Sequence, residues 1–320
     1  MSFSEVVGQE KAIDFLTAAV RNSRIPHAYL FSGPEGVGKA LVARQLAKLL
    51  NCRLNGADCC DQCPQCRKID NFNHPDVKWI GPLKKDGVIK ISQIREMKDG
   101  IHLKAYESTI KICIVLEAEN LTTEASNAFL KTLEEPPGRS LLILTSSNLG
   151  RILPTIISRC QTVRFNTLGL DRLKEFLKRR YNFEKETAHF LAYLSEGSIG
   201  KALALNQTDI FKRRDEMLDG LRSGFDDLVE TCINSNYDIQ FDLELIVNLY
   251  RDLLVLKESA ADFLINIDRK EELSELEGKY STEGIIRIIE NVSQARFLIR
   301  RNVNPRIALQ VIAEEMACLK

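Results

Sequence analysis

Several things are missing from this 320-residue chain, and each absence narrows what it can be. No run approaches the ~18 to 20 consecutive apolar residues that a membrane-spanning helix needs. Net charge is zero, with 44 Lys/Arg against 44 Asp/Glu, and no basic run is interleaved with aromatics. Composition therefore predicts no direct grip on nucleic acid. The four histidines, His27, His74, His102 and His189, form no H-x-x-x-H pair, so each is read as structural and none as a metal ligand. There is no internal repeat and no low-complexity segment, which excludes a solenoid. The acidic Glu5 and Glu10 near the start do not fit a signal peptide, and the chain is expected to be cytoplasmic.

What is present is ordinary soluble composition, 44% apolar and 28% charged, at a length that suggests two or three domains. Zero net charge hides a mild asymmetry. Residues 1–165 carry 22 Lys/Arg against 17 Asp/Glu, and the remainder carries the opposite excess. Nine cysteines occur, five of them between Cys52 and Cys66. In a cytosolic chain such a cluster points to metal rather than to disulfides.

Residues 1–165 alternate strand-like and helix-like segments. "HAYLFSG" (His27–Gly33) is a short apolar run ending in glycine, and "KALVARQLAKLL" follows with Val42, Leu46, Leu49 and Leu50 at helical spacing. "KICIVLEAENL" carries a second buried-type strand from Ile112 to Leu116. "EASNAFLKTLEEPP" reads as a helix stopped by Pro136 and Pro137, "SLLILTSS" (Ser140–Ser147) as a third strand, and "TVRFNTL" (Thr162–Leu168) as an edge strand. Strands separated by helices predict a parallel sheet with helices on both faces. From about residue 167 the pattern is almost wholly helical, broken by the small residues of "EGSIGKA". The charged stretch "DIFKRRDEM" (Asp209–Met217) is read as marking the next boundary.

"GPEGVGKA" (Gly33–Ala40) is one atom short of a phosphate-binding loop. Gly33, Gly36 and Gly38 let backbone amides approach phosphates, and Lys39 is placed to reach the terminal ones. The hydroxyl that would hold magnesium is missing, because Ala40 stands there. A second magnesium ligand is expected as an aspartate ending a later strand, where this chain has Leu116 followed by Glu117. Two losses at one metal site predict inefficient turnover of ATP, unless Glu117 or Glu119 shifts into the role. Thr145 and Ser146, ending the third strand, either sense phosphate or cap the following turn. Ser158 has no evident base, which argues against a serine nucleophile.

The motifs "VVGQEKAI", the phosphate loop, "NAFLKTLEEPP" (Asn127–Pro137) and "ILPTIISRC" (Ile152–Cys160) resemble the clamp-loader branch of the AAA+ ATPases, over essentially the whole chain and most strongly over residues 1–205. "NVNPRIALQ" (Asn302–Gln310) resembles the last-helix signature of that branch's oligomerisation domain. The resemblance implies an α/β plus all-α chain: a P-loop AAA+ domain over 1–166, a helical lid over 167–207 and a helical collar over 208–320. It implies work in DNA replication, within the DNA polymerase III holoenzyme, alongside the gamma/tau and delta clamp-loader subunits, the sliding clamp and primer–template DNA, without a membrane. In the family the arginine matching Arg159, in "SRC", enters the neighbouring subunit's ATP site, where a guanidinium stabilises transferring phosphoryl charge. Arg159 would be that finger. ATP-responsive members read "GSxR" at the lid; here "GSIGK" puts Gly200 at the arginine position and Lys201 after it, so ATP or ADP binding is expected to be weak or absent. These departures point to a non-hydrolysing stator. The alternatives are an active gamma/tau-like ATPase and an AAA+ adaptor unrelated to the polymerase.

Cys60, Cys63 and Cys66 form C-x-x-C-x-x-C, with Cys52 upstream at the end of the phosphate-loop helix. Four thiolates so spaced suit structural zinc, since four protein ligands leave no open position for water. The family carries a matching four-cysteine module, here expected at about residues 52–66. Its usual spacing leaves Cys59 as an alternative to Cys60. Cys113, Cys160, Cys232 and Cys318 read as isolated small apolar residues.

Overall fold

A computed structural model describes residues 2–54, 58–83, 87–233, 238–301 and 303–309. Asn302 and Gln310, at the ends of the last motif, and Cys318 lie outside the described residues. The chain divides into two compact units, one of residues 1–169 with 197–201, the other of residues 170–196 with 202–320.

The first unit is built on five parallel strands, β1 (Ala28–Ser32), β2 (Val77–Ile80), β3 (Lys111–Val115), β4 (Ser140–Ser146) and β5 (Gln161–Arg164), in the order β2-β3-β4-β1-β5. Side chains alternate across the sheet with period two. Tyr29, Phe31, Ile112, Ile114, Leu141 and Ile143 enter one core, against α1 (Glu10–Arg21), α2 (Lys39–Asn51) and α3 (Pro64–Asp70). Ala28, Leu30, Cys113, Val115, Leu142 and Leu144 enter the other, against α4 (Ile91–His102), α5 (Thr123–Glu134) and the short α6 (Pro154–Ile157). Both faces are thus covered, as a parallel sheet requires. The expected edge position of the last strand is found, since among the described residues β5 pairs only with β1. The opposite edge, β2, has no counterpart in the sequence reading. Its four residues "VKWI" follow "NHPD", and a strand so short offers too little alternation to separate from a loop.

The second unit is helical: α7 (Leu170–Tyr181), α8 (Lys185–Leu194), most of α9 (Ile199–Asn206), α10 (Ile210–Ser223), α11 (Phe225–Ile233), α12 (Ile239–Lys257), α13 (Lys270–Glu277) and α14 (Thr282–Arg300). The charged stretch Asp209–Met217, read from sequence as marking a boundary, is helical from Ile210 on. It is the first part of α10, and both Arg213 and Arg214 are only 2% exposed. Arg213 makes a two-pronged bond to the fully buried Asp242 (2.7 and 2.6 Å) and a further one to Glu216. Arg214 pairs with Asp268 (2.9 and 2.8 Å) and lies over the rings of Phe190 and Phe211. Charge in sequence therefore marks the interior here, because each guanidinium finds a carboxylate of matching planar geometry. No described helix is long and apolar enough to cross a membrane.

Candidate functional site

The glycine loop runs from the end of β1 into α2, the strand–loop–helix order that aims amides and a helix N-terminus at one point. Gly36 and Gly38 take left-handed backbone angles (φ 73° and 98°), and Gly38 caps α2. Gln9, of "VVGQ", braces the loop from outside: its Nε2 donates to the Val37 and Asn166 carbonyls at 3.1 and 2.7 Å.

This loop is closed on itself. The Lys39 ammonium donates to the carbonyls of Gly33 and Pro34, both at 2.6 Å. Burial lowers the Lys39 pKa, against the attraction of Glu119, Glu35 and Glu117. From the other side comes the segment Gly197–Lys201. The Gly200 amide donates to the Gly36 carbonyl at 2.9 Å, and Ser198 Oγ donates to the Glu35 carbonyl at 2.7 Å. A Cβ on Gly200 would sit 2.8 Å from both Cα and O of Gly36. At Gly200, where the resemblance implies an arginine, backbone contact fills the space, and no side chain fits there without moving the loop.

Beside Lys39 lies a cleft of about 280 Å³ lined by Glu35, Glu117, Glu119, Thr145, Ser147 and Arg151, among others. Glu117 follows β3 in a left-handed conformation (φ 51°), with its amide on Thr145 Oγ1 (3.1 Å) and its carboxylate on Asn120 Nδ2 (3.0 Å). Leu116 is half-buried and packs against the core that α1, α2 and α3 cover. Burial raises the Glu119 pKa, but bonds from the Ser147 hydroxyl and amide (2.5 and 2.9 Å) outweigh it and hold the carboxyl below its usual range. Ser146 Oγ accepts from Asn148 N (3.1 Å), capping the turn. Sequence reasoning missed Arg151, which nothing in "NLGR" singles out. Ala40 is exposed at the start of α2.

Arg159 follows α6 and is not among the residues lining this cleft. It donates to the Thr155 carbonyl (3.0 Å) and pairs with Glu134 of "LEEPP" at 2.9 Å, the two side chains being 37% and 51% exposed. Exposed ion pairs of this kind contribute about 0–1 kcal/mol, so the guanidinium is held only lightly.

The sulfurs of Cys52, Cys60, Cys63 and Cys66 all lie within 4.8 Å of one another. Tetrahedral zinc–thiolate bonds of about 2.3 Å would place them roughly 3.8 Å apart, so the set fits a metal such as zinc. Cys59 is turned away. Its Sγ faces Gln45 Oε1 (3.6 Å) and Asp61 Oδ1 (3.5 Å), and burial pushes its thiol up to about 12. Burial also raises Cys63, yet the amides of Arg53 and Cys66, and then the neighbouring Cys66 and Cys60 thiols, bring it down to about 6. Cys60 is lowered as well, by the Cys63 and Gln62 amides, while burial raises Cys66, so the two less buried thiols favour the thiolate that metals bind. Behind the cluster the fully buried Lys48 pairs with Asp70 (2.9 Å) and with Asp61, tying the cysteine loop to α2. Away from the cluster, Cys113 and Cys232 are buried and Cys160 is half-buried.

A parallel five-stranded sheet with a glycine loop between the interior strand β1 and a helix defines a P-loop domain. The family model described as DNA polymerase III, delta subunit, matches residues 8–169, and its C-terminal companion matches residues 209–313. The chain belongs to that family of DNA polymerase III clamp-loader subunits. It is 29% identical over 308 residues to the DNA polymerase III subunit delta′ of Bacillus subtilis, covering 92% of each chain. To the gamma/tau subunit of Mycoplasma genitalium it is 34% identical over 211 residues, which are 64% of this chain but only 35% of that one. Among solved structures, a gamma-subunit-related protein of Thermotoga maritima aligns over 95% of this chain and 98% of its own, at 19% identity and a TM-score of 0.47.

Proposed function

We propose that the chain is a non-hydrolysing, delta-prime-type stator of a hetero-oligomeric clamp loader, which helps to load the sliding clamp onto primed DNA. The observation that carries this reading is the closed phosphate loop, with Lys39 spent on its own carbonyls and Gly200 against Gly36. Ala40 and Leu116 add two missing magnesium ligands, so ATP or ADP at Gly33, Gly36, Gly38 and Lys39 would be bound weakly or not at all. The match of this chain to a delta′ relative over 92% of each length supports the same choice.

In this reading Arg159 leaves its exposed partner Glu134 and enters a neighbouring gamma/tau subunit's ATP site as a finger in trans. Residues 1–166 serve as the AAA+ domain, 167–207 as a lid and 208–320 as a collar joining gamma/tau and delta subunits. Exposed Ile286 and Phe297 on α14 are apolar surface suited to such contacts. Primer–template DNA and the sliding clamp are reached through the assembly, in the cytoplasm at the nucleoid. Cys52, Cys60, Cys63 and Cys66 hold structural zinc, which would lock the loop between α2 and α3.

The test is ATP turnover by the isolated chain and by the reconstituted complex, with and without Arg159→Ala. No turnover alone, and a fall of about 10³–10⁵ at the site dependent on Arg159, supports a stator. An unchanged rate in the complex overturns the finger. One observation favours a second reading, an active gamma/tau-like ATPase: Glu117 and Glu119 both line the cleft beside Lys39. That reading requires brisk magnesium-dependent turnover by the isolated chain.

A further inference from the structure

The cysteine cluster sits at the root of a polar network that ends in an exposed loop. Helix α3 starts from Cys63 and carries Cys66 fully buried. The same helix presents Gln65, only 3% exposed, whose Nε2 donates to the Glu107 carbonyl at 3.0 Å. One turn on, Lys68 holds the Glu107 carboxylate at 2.6 and 2.8 Å. Gln65 Oε1 meets His74 Nε2 at 2.7 Å, while His74 Nδ1 accepts from the Asp76 amide at 3.1 Å. The ring is therefore neutral with its proton on Nε2. Asp76, 3% exposed, accepts the amides of Tyr106, Glu107 and Ser108 and the Ser108 hydroxyl, at 2.8–3.0 Å. The other arm of the cluster joins in as well: Thr109 Oγ1 donates to the carbonyl of Leu50, two residues before Cys52.

The segment so held displays Leu103 and Tyr106, which are 68% and 85% exposed. An aromatic and a leucine set in water contribute nothing to the core, yet a buried carboxylate and three buried or half-buried polar side chains fix the backbone beneath them. Buried networks of this kind are expensive unless complete, so they rigidify whatever they hold.

We infer that the metal held by Cys52, Cys60, Cys63 and Cys66 is a positioning element for the loop at residues 103–109, which it orders through α3 and the Leu50–Thr109 bond. The inference rests on the zinc reading above. Metal would pin Cys63 and Cys66 at the start of α3 and Cys52 at the end of α2, the two places from which the loop is tied. Without it, the first turn of the seven-residue α3, which carries Gln65, would lose its anchors at Cys63 and Cys66, while Ile69 in the core and the Lys48–Asp70 pair would still hold its last turn.

The experiment uses the full chain loaded with Zn²⁺ and the same chain after chelation, with zinc content measured on both. Hydrogen exchange at Tyr106, Glu107 and Ser108 should rise at least about tenfold on chelation, while β1 and β4 keep their protection. The single tryptophan, Trp79, stacks edge-on against Phe72 just beyond α3 (centroids 5.0 Å apart) and gives a native fluorescence readout of α3. Should chelation expose β1 and β4 too, the zinc-loaded Gln65→Ala/Lys68→Ala variant decides. It should retain zinc and still exchange faster at 106–108. Unchanged exchange there after verified zinc loss, or in that double variant, overturns the inference. Failure to bind zinc at all instead overturns the metal reading on which it rests.

Discussion

The Gly36 carbonyl accepts a hydrogen bond from the Gly200 amide at 2.9 Å, and the two glycines touch backbone to backbone. Gly36 is in the left-handed region (φ 73°), and a Cβ on it would lie 2.7 Å from the Lys201 amide. The two positions therefore constrain each other. Restoring the lid arginine as Gly200→Arg should not restore ATP turnover, because Ala40 and Leu116 remain. It should instead overpack the loop and cost about 1–3 kcal/mol, read as a lower urea midpoint at unchanged m-value.

The choice between Cys59 and Cys60 has a direct check. Cys60→Ser should abolish stoichiometric zinc, while Cys59→Ser should leave zinc content unchanged, since the Cys59 thiol faces Gln45 and Asp61 rather than the other sulfurs. Inductively coupled plasma analysis of both purified variants is sufficient. The reverse pattern would put Cys59 in the cluster.

His74 makes part of the stability pH-dependent. Burial lowers its pKa below the ordinary value of 6.5, partly opposed by Glu107 and Asp76 and reinforced by Lys68. In the unfolded chain the ring takes up a proton as pH falls through that ordinary value; in the folded chain both ring nitrogens are committed and it does so only at lower pH. Its contribution is therefore fully present above about pH 6.5 and is lost as pH falls through the lowered value. Denaturant midpoints at pH 7.5 and 5.5 should differ more for the wild type than for His74→Gln. His189, half-buried in the helical unit and also lowered by burial, acts in the same direction and is unchanged by this variant.

In the helical unit, Asp242→Ala would leave Arg213 buried without its two-pronged partner. Breaking one side of a buried pair typically costs about 3–5 kcal/mol. Thermal unfolding should drop well beyond the change for an exposed pair such as Lys174–Asp171, removed by Asp171→Ala as the control.

What sequence by itself determined is what depends on near neighbours along the chain. Short continuous apolar runs marked β1, β3 and β4, because a parallel strand buried on both faces needs apolar side chains at nearly every position; which residue meets which core was left to the structure. Glycines at 33, 36 and 38 marked the phosphate loop, and C-x-x-C-x-x-C marked the sulfurs, because both are local geometries of a few residues. Only the tertiary structure decided the rest. The short edge strand β2, the burial of Arg213 and Arg214, the exclusion of Cys59 from the sulfur cluster and the contact of Gly36 with Gly200 each depend on partners distant in sequence. Spacing records which residues can reach one another locally. Which carbonyl Gly200 meets, and which carboxylate neutralises a buried arginine, is settled only when the chain has closed around them.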